Sequence, residues 1–312
     1  MSIVLRVALI ALMLGTTSLT ACRPAPVTQP TQSTDQIDKT NKINKIPITV
    51  SIEPQKYFVE RIGGDRVQVN VMVPTGTDPH TYEPKPDQMR ALASSKAYFS
   101  IGGGLEQAWL PRLSGANSQL KIVDTSQGIE KKPSLDHHHD HNHSGGEGEN
   151  FDPHIWLSPS RAKQQAENIY QSLVKIDPKH QAEYQANLSR FIQEIESLDQ
   201  EIRQQLTPLK NRAFMVFHPE WGYFAKDYNL KMIAIEVEGN EPSAGELGDI
   251  IKKAKANKIK VIFSQPEFSP QTAQAIAQEI GAKVIPINGF SPDWLNNLRQ
   301  VSQTLATELS KN

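Results

Sequence analysis

The chain has 312 residues, with 33 basic and 34 acidic side chains and a formal net charge of −1. That balance gives no electrostatic footing for a nucleic-acid partner, and the length allows two lobes, each with a core of its own. Cys22 is the only cysteine, which excludes a disulfide within the chain.

Residues 1–21 read as a secretory signal: one positive charge at Arg6, an apolar run over 7–14 too short to span a bilayer, then small and polar residues. Leu19-Thr20-Ala21-Cys22 resembles a bacterial lipobox, so Cys22 is expected to be lipidated, with several acyl chains holding the protein on the outer face of a membrane. Residues 22–45 then form a tether rich in Pro, Thr, Gln, Ser, Asp, Asn and Lys, with too few apolar side chains to fold.

The first lobe is expected over residues 46–177. Strands are predicted at 47–52, 67–73, 98–101 and 121–124, with helices over 55–62 and 86–92 between them and a further helix from Ser158 toward Asp177-Pro178. Within this lobe, residues 136–150 make a histidine-rich loop. Tyr184, Leu188, Phe191, Ile195, Leu198, Ile202 and Leu206 then recur at steps of four and three, which predicts one amphipathic helix within 178–208. A helix of that length is roughly 40 Å long, enough to serve as a spine between lobes. Coiled-coil dimerisation is the competing reading, but Pro208 ends the stripe and the α/β pattern continues, so a monomer with an internal spine is expected. Residues 209–312 repeat the alternation, with strands at 213–217, 232–235, 260–263 and 283–287 and helices over 243–256, 270–280 and 292–309. The fold class is therefore α/β: two lobes with mainly parallel sheets joined by a long rigid helix. In such sheets ligands lie beyond the carboxyl ends of the strands.

The nine histidines are unevenly placed. Five of them, His137, His138, His139, His141 and His143, stand in a tract with no apolar anchor. Three more sit beside a proline near an element junction: His80 in Asp78-Pro79-His80, His154 in Asp152-Pro153-His154, and His218 in Phe217-His218-Pro219. His180 is read as a surface residue. Each imidazole taken singly is more often a hydrogen-bonded structural group than a ligand. Three of them on proline-stiffened loops share one explanation if they converge on a divalent metal in an interlobe cleft. A tetrahedral zinc ion bound by three imidazoles keeps one position open for a carboxylate or water. The loose tract beside them suggests weak capture next to tight binding.

Three blocks carry a resemblance: residues 73–84 around His80, 152–159 around His154 and 217–224 around His218. In this order they look like the zinc and manganese solute-binding proteins of ABC importers (cluster A-I), most like the ZnuA-type zinc-uptake branch. The resemblance runs from Ile46 to the carboxyl end. It implies an ion held between two lobes by His80, His154 and His218, handed outside the cytoplasm to a membrane permease. It also implies that the tract gathers or senses ions. Many relatives supply a carboxylate after the last strand, where this chain has the neutral Asn288, so the fourth donor is left among water, Asn288, Asp293 and a nearby Glu. Loss of that carboxylate favours Zn2+ over Mn2+, because manganese prefers oxygen donors. The rivals are a zinc hydrolase with Glu220 as general base, which lacks a His-Glu-x-x-His signature, a chelatase, which the lipid anchor disfavours, and a metal-binding surface adhesin.

Overall fold

The computed structural model describes residues 44–79, 81–102, 106, 115, 117–133, 151–237 and 239–311. The signal segment, Cys22, most of the tether, His80 and the histidine tract lie outside the described residues. No helix among the described residues is long and apolar enough to cross a membrane.

Two four-stranded parallel sheets are present. The first contains β1 (Ile46–Val50), β2 (Val67–Val71), β3 (Ala97–Ser100) and β4 (Lys121–Asp124), and the second β5 (Ala213–Val216), β6 (Lys231–Ala234), β7 (Val261–Ser264) and β8 (Lys283–Pro286). Their spatial orders are β2-β1-β3-β4 and β6-β5-β7-β8, the same arrangement twice. The central strands β3 and β5 are buried along their whole length while the edge strands β4 and β8 are largely exposed. Near-continuous apolar runs at the centre are what a sheet covered on both faces requires. In each sheet the order reverses at the first strand, where a crevice opens beyond the strand ends.

The helices are α1 (Glu53–Gly63), α2 (Pro86–Ala93), α3 (Pro159–Ile176), α4 (Gln181–Leu206), α5 (Gly222–Asp227), α6 (Ala244–Ala256), α7 (Gln271–Ile280) and α8 (Trp294–Leu309). Their ends follow local chemistry. Ser158 and Ser243 accept hydrogen bonds from the first-turn amides of α3 and α6, Ser243 with Glu246 as a full capping box, and Gly281 closes α7 in the left-handed conformation. The short α5 carries no periodic apolar stripe and is not predicted from the sequence.

Most boundaries shift by a residue or two from expectation, and three of the shifts are instructive. β2 ends at Val71, although the Met72 and Val73 amides still bond to the Val50 and Ser51 carbonyls. The spine α4 begins at Gln181 because Pro178–His180 forms a 3-10 turn, with Asp177 accepting from both His180 and Tyr184. The last helix begins at Trp294 because Asp293 caps it, accepting from the Asn296 amide and side chain at 3.4 and 2.8 Å. His180, with its side chain about one-third exposed, is paired to Asp177.

All seven stripe residues of α4 are buried. The helix packs against α1, α3 and α8. Phe191 lies 5.5 Å from Phe58 and 6.2 Å from Trp294, which itself stands edge-on to Phe58 at 5.0 Å. Residues of both sheets, the spine and the last helix thus belong to one buried cluster. A second, smaller cluster covers the other face of the β5-containing sheet, beneath α6 and α7. Separate cores for the two lobes were the expectation; the spine and α8 instead fuse the inner layers into one.

Candidate metal centre

His218 follows the carboxyl end of β5. The Phe217 amide bonds to the Phe263 carbonyl, and Gln265, after β7, accepts from the His218 amide and donates to its carbonyl. The ring stacks on Phe268 at 4.9 Å. His154 opens the 3-10 turn Ile155–Leu157 ahead of α3. That turn is clamped to the second lobe: the Trp156 indole donates to the Gly289 carbonyl at 2.8 Å, and the Trp294 indole donates to the Trp156 carbonyl at 2.8 Å. The two imidazoles, each about 2 % exposed, meet with ring centroids 5.2 Å apart. Of the three proline-flanked histidines, the structure brings these two together, and His80 lies outside the described residues.

Each ring has a carboxylate behind it. His154 Nδ1 is 2.8 Å from Asp152 Oδ1, and His218 Nδ1 is hydrogen-bonded to Glu236. The Asp152 carboxylate also accepts from the His154 amide. It lies close against Gly222, where a Cβ would stand 2.8 Å from Oδ2, and the Tyr223 hydroxyl donates to the Asp152 carbonyl. Any larger residue at 222 would push that carboxylate out of place. Glu236 is reached through sheet register, since parallel pairing of β5 with β6 continues as bonds from the Ile235 and Glu236 amides to the Val216 and Phe217 carbonyls.

Further acids are linked to the rings or to one another by their charges. Glu220 is wholly buried, its oxygens met by no more than loose contacts from the Gln265 and Trp221 side chains. Burial, reinforced by the Glu267 charge and opposed by His154, raises its pKa to about 8. Both Glu267 oxygens are buried with no side-chain donor, and desolvation, opposed by the residue's own amide and reinforced by the Asp78 charge, pushes that group up. Glu236 is raised to about 7, again by burial first and then by Asp78. Asp78, two residues before His80, is therefore close enough for its charge to act on both Glu236 and Glu267. No Lys or Arg figures among the groups acting on these three glutamates. Acids packed this way, without a cation of their own, leave the pocket short of positive charge.

The remaining candidates fall elsewhere. The Asp293 carboxyl is exposed and committed to capping α8, while the Asn288 side chain accepts from the Phe290 amide at 2.7 Å and its carbonyl accepts from Asn297. Asp152 stood in the quoted motif, but nothing local marked it as the partner of the ring two residues on. Glu236 and Glu267 carried no sequence signal, because only strand pairing and the turn after β7 bring them to the histidines.

The profile of the family described as "Zinc-uptake complex component A periplasmic", ZnuA, matches residues 48–308. The chain belongs to this family. Among its relatives, the high-affinity zinc uptake system protein ZnuA of Bacillus subtilis (strain 168) is 30% identical over 247 residues, covering 77% of each chain. The zinc-binding lipoprotein AdcA of Streptococcus pneumoniae (strain ATCC BAA-255 / R6) is 29% identical over 248 residues, 77% of this chain; the chain spans about half of AdcA, 49%. Among solved structures, a ZnuA crystal structure superposes with a TM-score of 0.79 at 47% identity, covering 85% of this chain and 100% of that one. A zinc-bound deletion mutant of ZnuA gives 0.78 at 48% identity, covering 85% and 98%. Such neighbours share the two-lobed α/β architecture.

Proposed function

We propose that this ZnuA-family protein is the extracytoplasmic zinc-capturing component of an ABC importer, holding Zn2+ between its lobes and delivering it to the membrane permease. The observation that carries the reading is the pair of buried imidazoles from opposite lobes, 5.2 Å apart, each backed by a carboxylate. With Nδ1 committed in each ring, the coordinating nitrogen is Nε2, and carboxylate–imidazole–metal relays of this kind fix the tautomer and raise ligand basicity. His80 completes the set as third imidazole, supported by the closeness of Asp78 to the acids beside His218. The near-complete burial of His154 and His218 supports capture rather than turnover, so the protein is read as a carrier and not a hydrolase. Three imidazoles favour zinc, with manganese the weaker cargo.

Lipidation of Cys22 places the carrier at a membrane surface, supported by Leu19-Thr20-Ala21-Cys22 and by the lipoprotein name of AdcA. The domain reading keeps residues 46–177 and 209–312 as lobes about a spine within 178–208, and the protein acts as a monomer. Residues His137, His138, His139, His141 and His143 serve as a weaker auxiliary site. A second reading, surface adhesion, rests on a Streptococcus agalactiae neighbour, the laminin-binding protein Lmb, described as bifunctional with adhesin and metal-transporting activity; it superposes at a TM-score of 0.74 with 25% identity, covering 85% of this chain and 99% of that one.

Binding is expected to weaken as pH falls through about 6.5, because protonated imidazole cannot ligate. His218→Ala should leave the circular dichroism spectrum unchanged and weaken zinc at least ~10-fold in a chelator competition titration, the scale on which a lost metal contact is felt. Wild-type affinity in that variant would reject the capture reading.

A further inference from the structure

We infer that the amino-end face of the first sheet, around Lys45, Lys96, Lys121 and Lys175, docks on anionic lipid headgroups at a membrane surface. The inference stands apart from the ion site and takes from the proposed lipidation of Cys22 only the nearness of a bilayer. All four strands of this sheet are parallel, so their amino ends share one edge, opposite the carboxyl ends. Lysines gather along that edge. Lys45 precedes β1, Lys96 precedes β3, and Lys121 opens β4. The backbone sets them in a row: the Lys96 amide bonds to the Pro47 carbonyl at 2.8 Å, and the Lys121 amide to the Lys96 carbonyl at 3.3 Å. Asn44, Lys45, Lys96, Lys121 and His180 line one groove of about 780 Å³. Lys175, in the last turn of α3, shares an adjoining groove with Lys121.

The four lysines are exposed, and none is in an ion pair among the described residues. The acids of that end are committed or displaced. Asp177 is bonded to His180 and Tyr184, and Glu183 to Arg66 at 3.0 Å. Glu60 and Asp65 lie just before β2, across β1 from Lys96 and Lys121 in the order β2-β1-β3-β4. Helix carboxyl ends attract cations, which accounts for Lys175 but not for lysines at three strand starts. A chain of net charge −1 can hold to an anionic surface only through charge segregated in this way. Lysine also suits the partner, because a compact, hydrated point charge matches a diffuse lipid surface, where the arginine fork matches a single phosphate. Ile122, beside Lys121, is 44 % exposed, and an apolar side chain among lysines fits the boundary between headgroups and acyl chains. Where the chain enters singles out a membrane among anionic partners. The described residues begin at Asn44, in this groove, and the chain back to Cys22 can reach no farther than about 80 Å. An acylated Cys22 would hold the molecule by this end, and a lipid anchor gains from a basic second contact.

The test is co-sedimentation of the chain from residue 22 onward, carrying Cys22→Ser so that no acyl chain masks the contact, with vesicles of phosphatidylcholine alone or mixed equally with phosphatidylglycerol. The protein is expected to sediment with the anionic vesicles at low salt, to leave them at high salt, and to ignore the neutral ones. A basic surface contact is worth roughly fivefold in binding per lysine, so Lys96→Glu, Lys121→Glu and Lys175→Glu together should weaken it at least ~30-fold. A charge-matched control carries Lys210→Glu, Lys260→Glu and Lys283→Glu, three exposed lysines of the second lobe, and should bind as wild type. Circular dichroism and thermal melts check that both variants fold, and the milder Lys→Gln triple at 96, 121 and 175 takes the place of a first variant that does not. Failure of the wild type to bind anionic vesicles overturns the inference, as does equal binding to neutral ones. So does an equal loss in the second-lobe control, which would make net charge, not this face, the cause.

Discussion

Asp152 and Glu236 sit behind the two imidazoles and do the same work from different places in the chain. On the proposed reading, each fixes which ring nitrogen carries the proton and which would face the ion. Glu236→Ala removes that hold from His218 without touching the ring. Zinc affinity should fall by about 10- to 100-fold in a competition titration while the fold persists, and an unchanged Kd would show that Phe268 stacking alone orients the ring. Another buried acid, Glu106, sits beyond the carboxyl ends of β1 and β3. It accepts bonds from the Ser51 and Tyr98 hydroxyls and from the Ile101 and Gly102 amides at 2.7 and 3.1 Å, yet burial outweighs them and raises its pKa from 4.5 to about 6. A carboxyl raised on folding is protonated more readily in the native state, so its contribution is complete below about pH 4.5 and is lost as pH climbs through about 6. The loss is of order 2 kcal/mol. Urea melts of wild type and Glu106→Gln should show the stability difference shifting against wild type by that amount between pH 4.5 and pH 7, and a pH-independent difference would contradict the shift.

At the scale of single elements, the periodic stretches were the most legible. The α4 stripe from Tyr184 to Leu206 is buried as its spacing predicts, because a helix this long must hide one face against something. What it hides against was not legible. Phe191 meets Phe58 and Trp294, residues far from it in sequence, so the spine is held by the first helix and the last. Phe191→Ala should therefore cost about 3–5 kcal/mol, seen as a lower urea midpoint for the whole molecule and not as a separate transition of one lobe. Element ends were read less well than element interiors. Pro178 suggested a helix start, but Asp177 holds both His180 and Tyr184 and tightens the first turn into a 3-10 form. Asp293 looked like a spare carboxylate near the site and is a helix cap, a role settled by the Asn296 amide above it. The short α5 escaped notice, although its first residue, Gly222, is what lets Asp152 approach His154.

For the whole molecule, the two sheets share one strand order, and His218 follows the carboxyl end of β5, at the switch point of the second. Zinc bound between the lobes would act as a cross-link, stabilising the native state as its concentration exceeds Kd, by about 2.7 kcal/mol at 100-fold excess. The histidine tract is expected to add capacity without being part of that link. Deleting residues 137–143 should lower total zinc stoichiometry by equilibrium dialysis while the tight phase of the titration and the zinc-dependent rise in Tm survive. Equal stoichiometry in the deletion would make the tract a spacer.

The order of strands and helices, the spine, and the three proline-flanked histidines were all determined by the sequence itself, since periodicity, caps and short motifs are properties of neighbouring residues. Family membership followed from the same motifs. Only the tertiary structure decided which acids stand with the imidazoles. Glu236 reaches His218 because β6 pairs with β5 in one parallel register, and Glu220 lies over Gly289 because β8 ends beside that turn. Strand register and the approach of two lobes are fixed by burying apolar faces contributed from distant parts of the chain, and no local pattern encodes them.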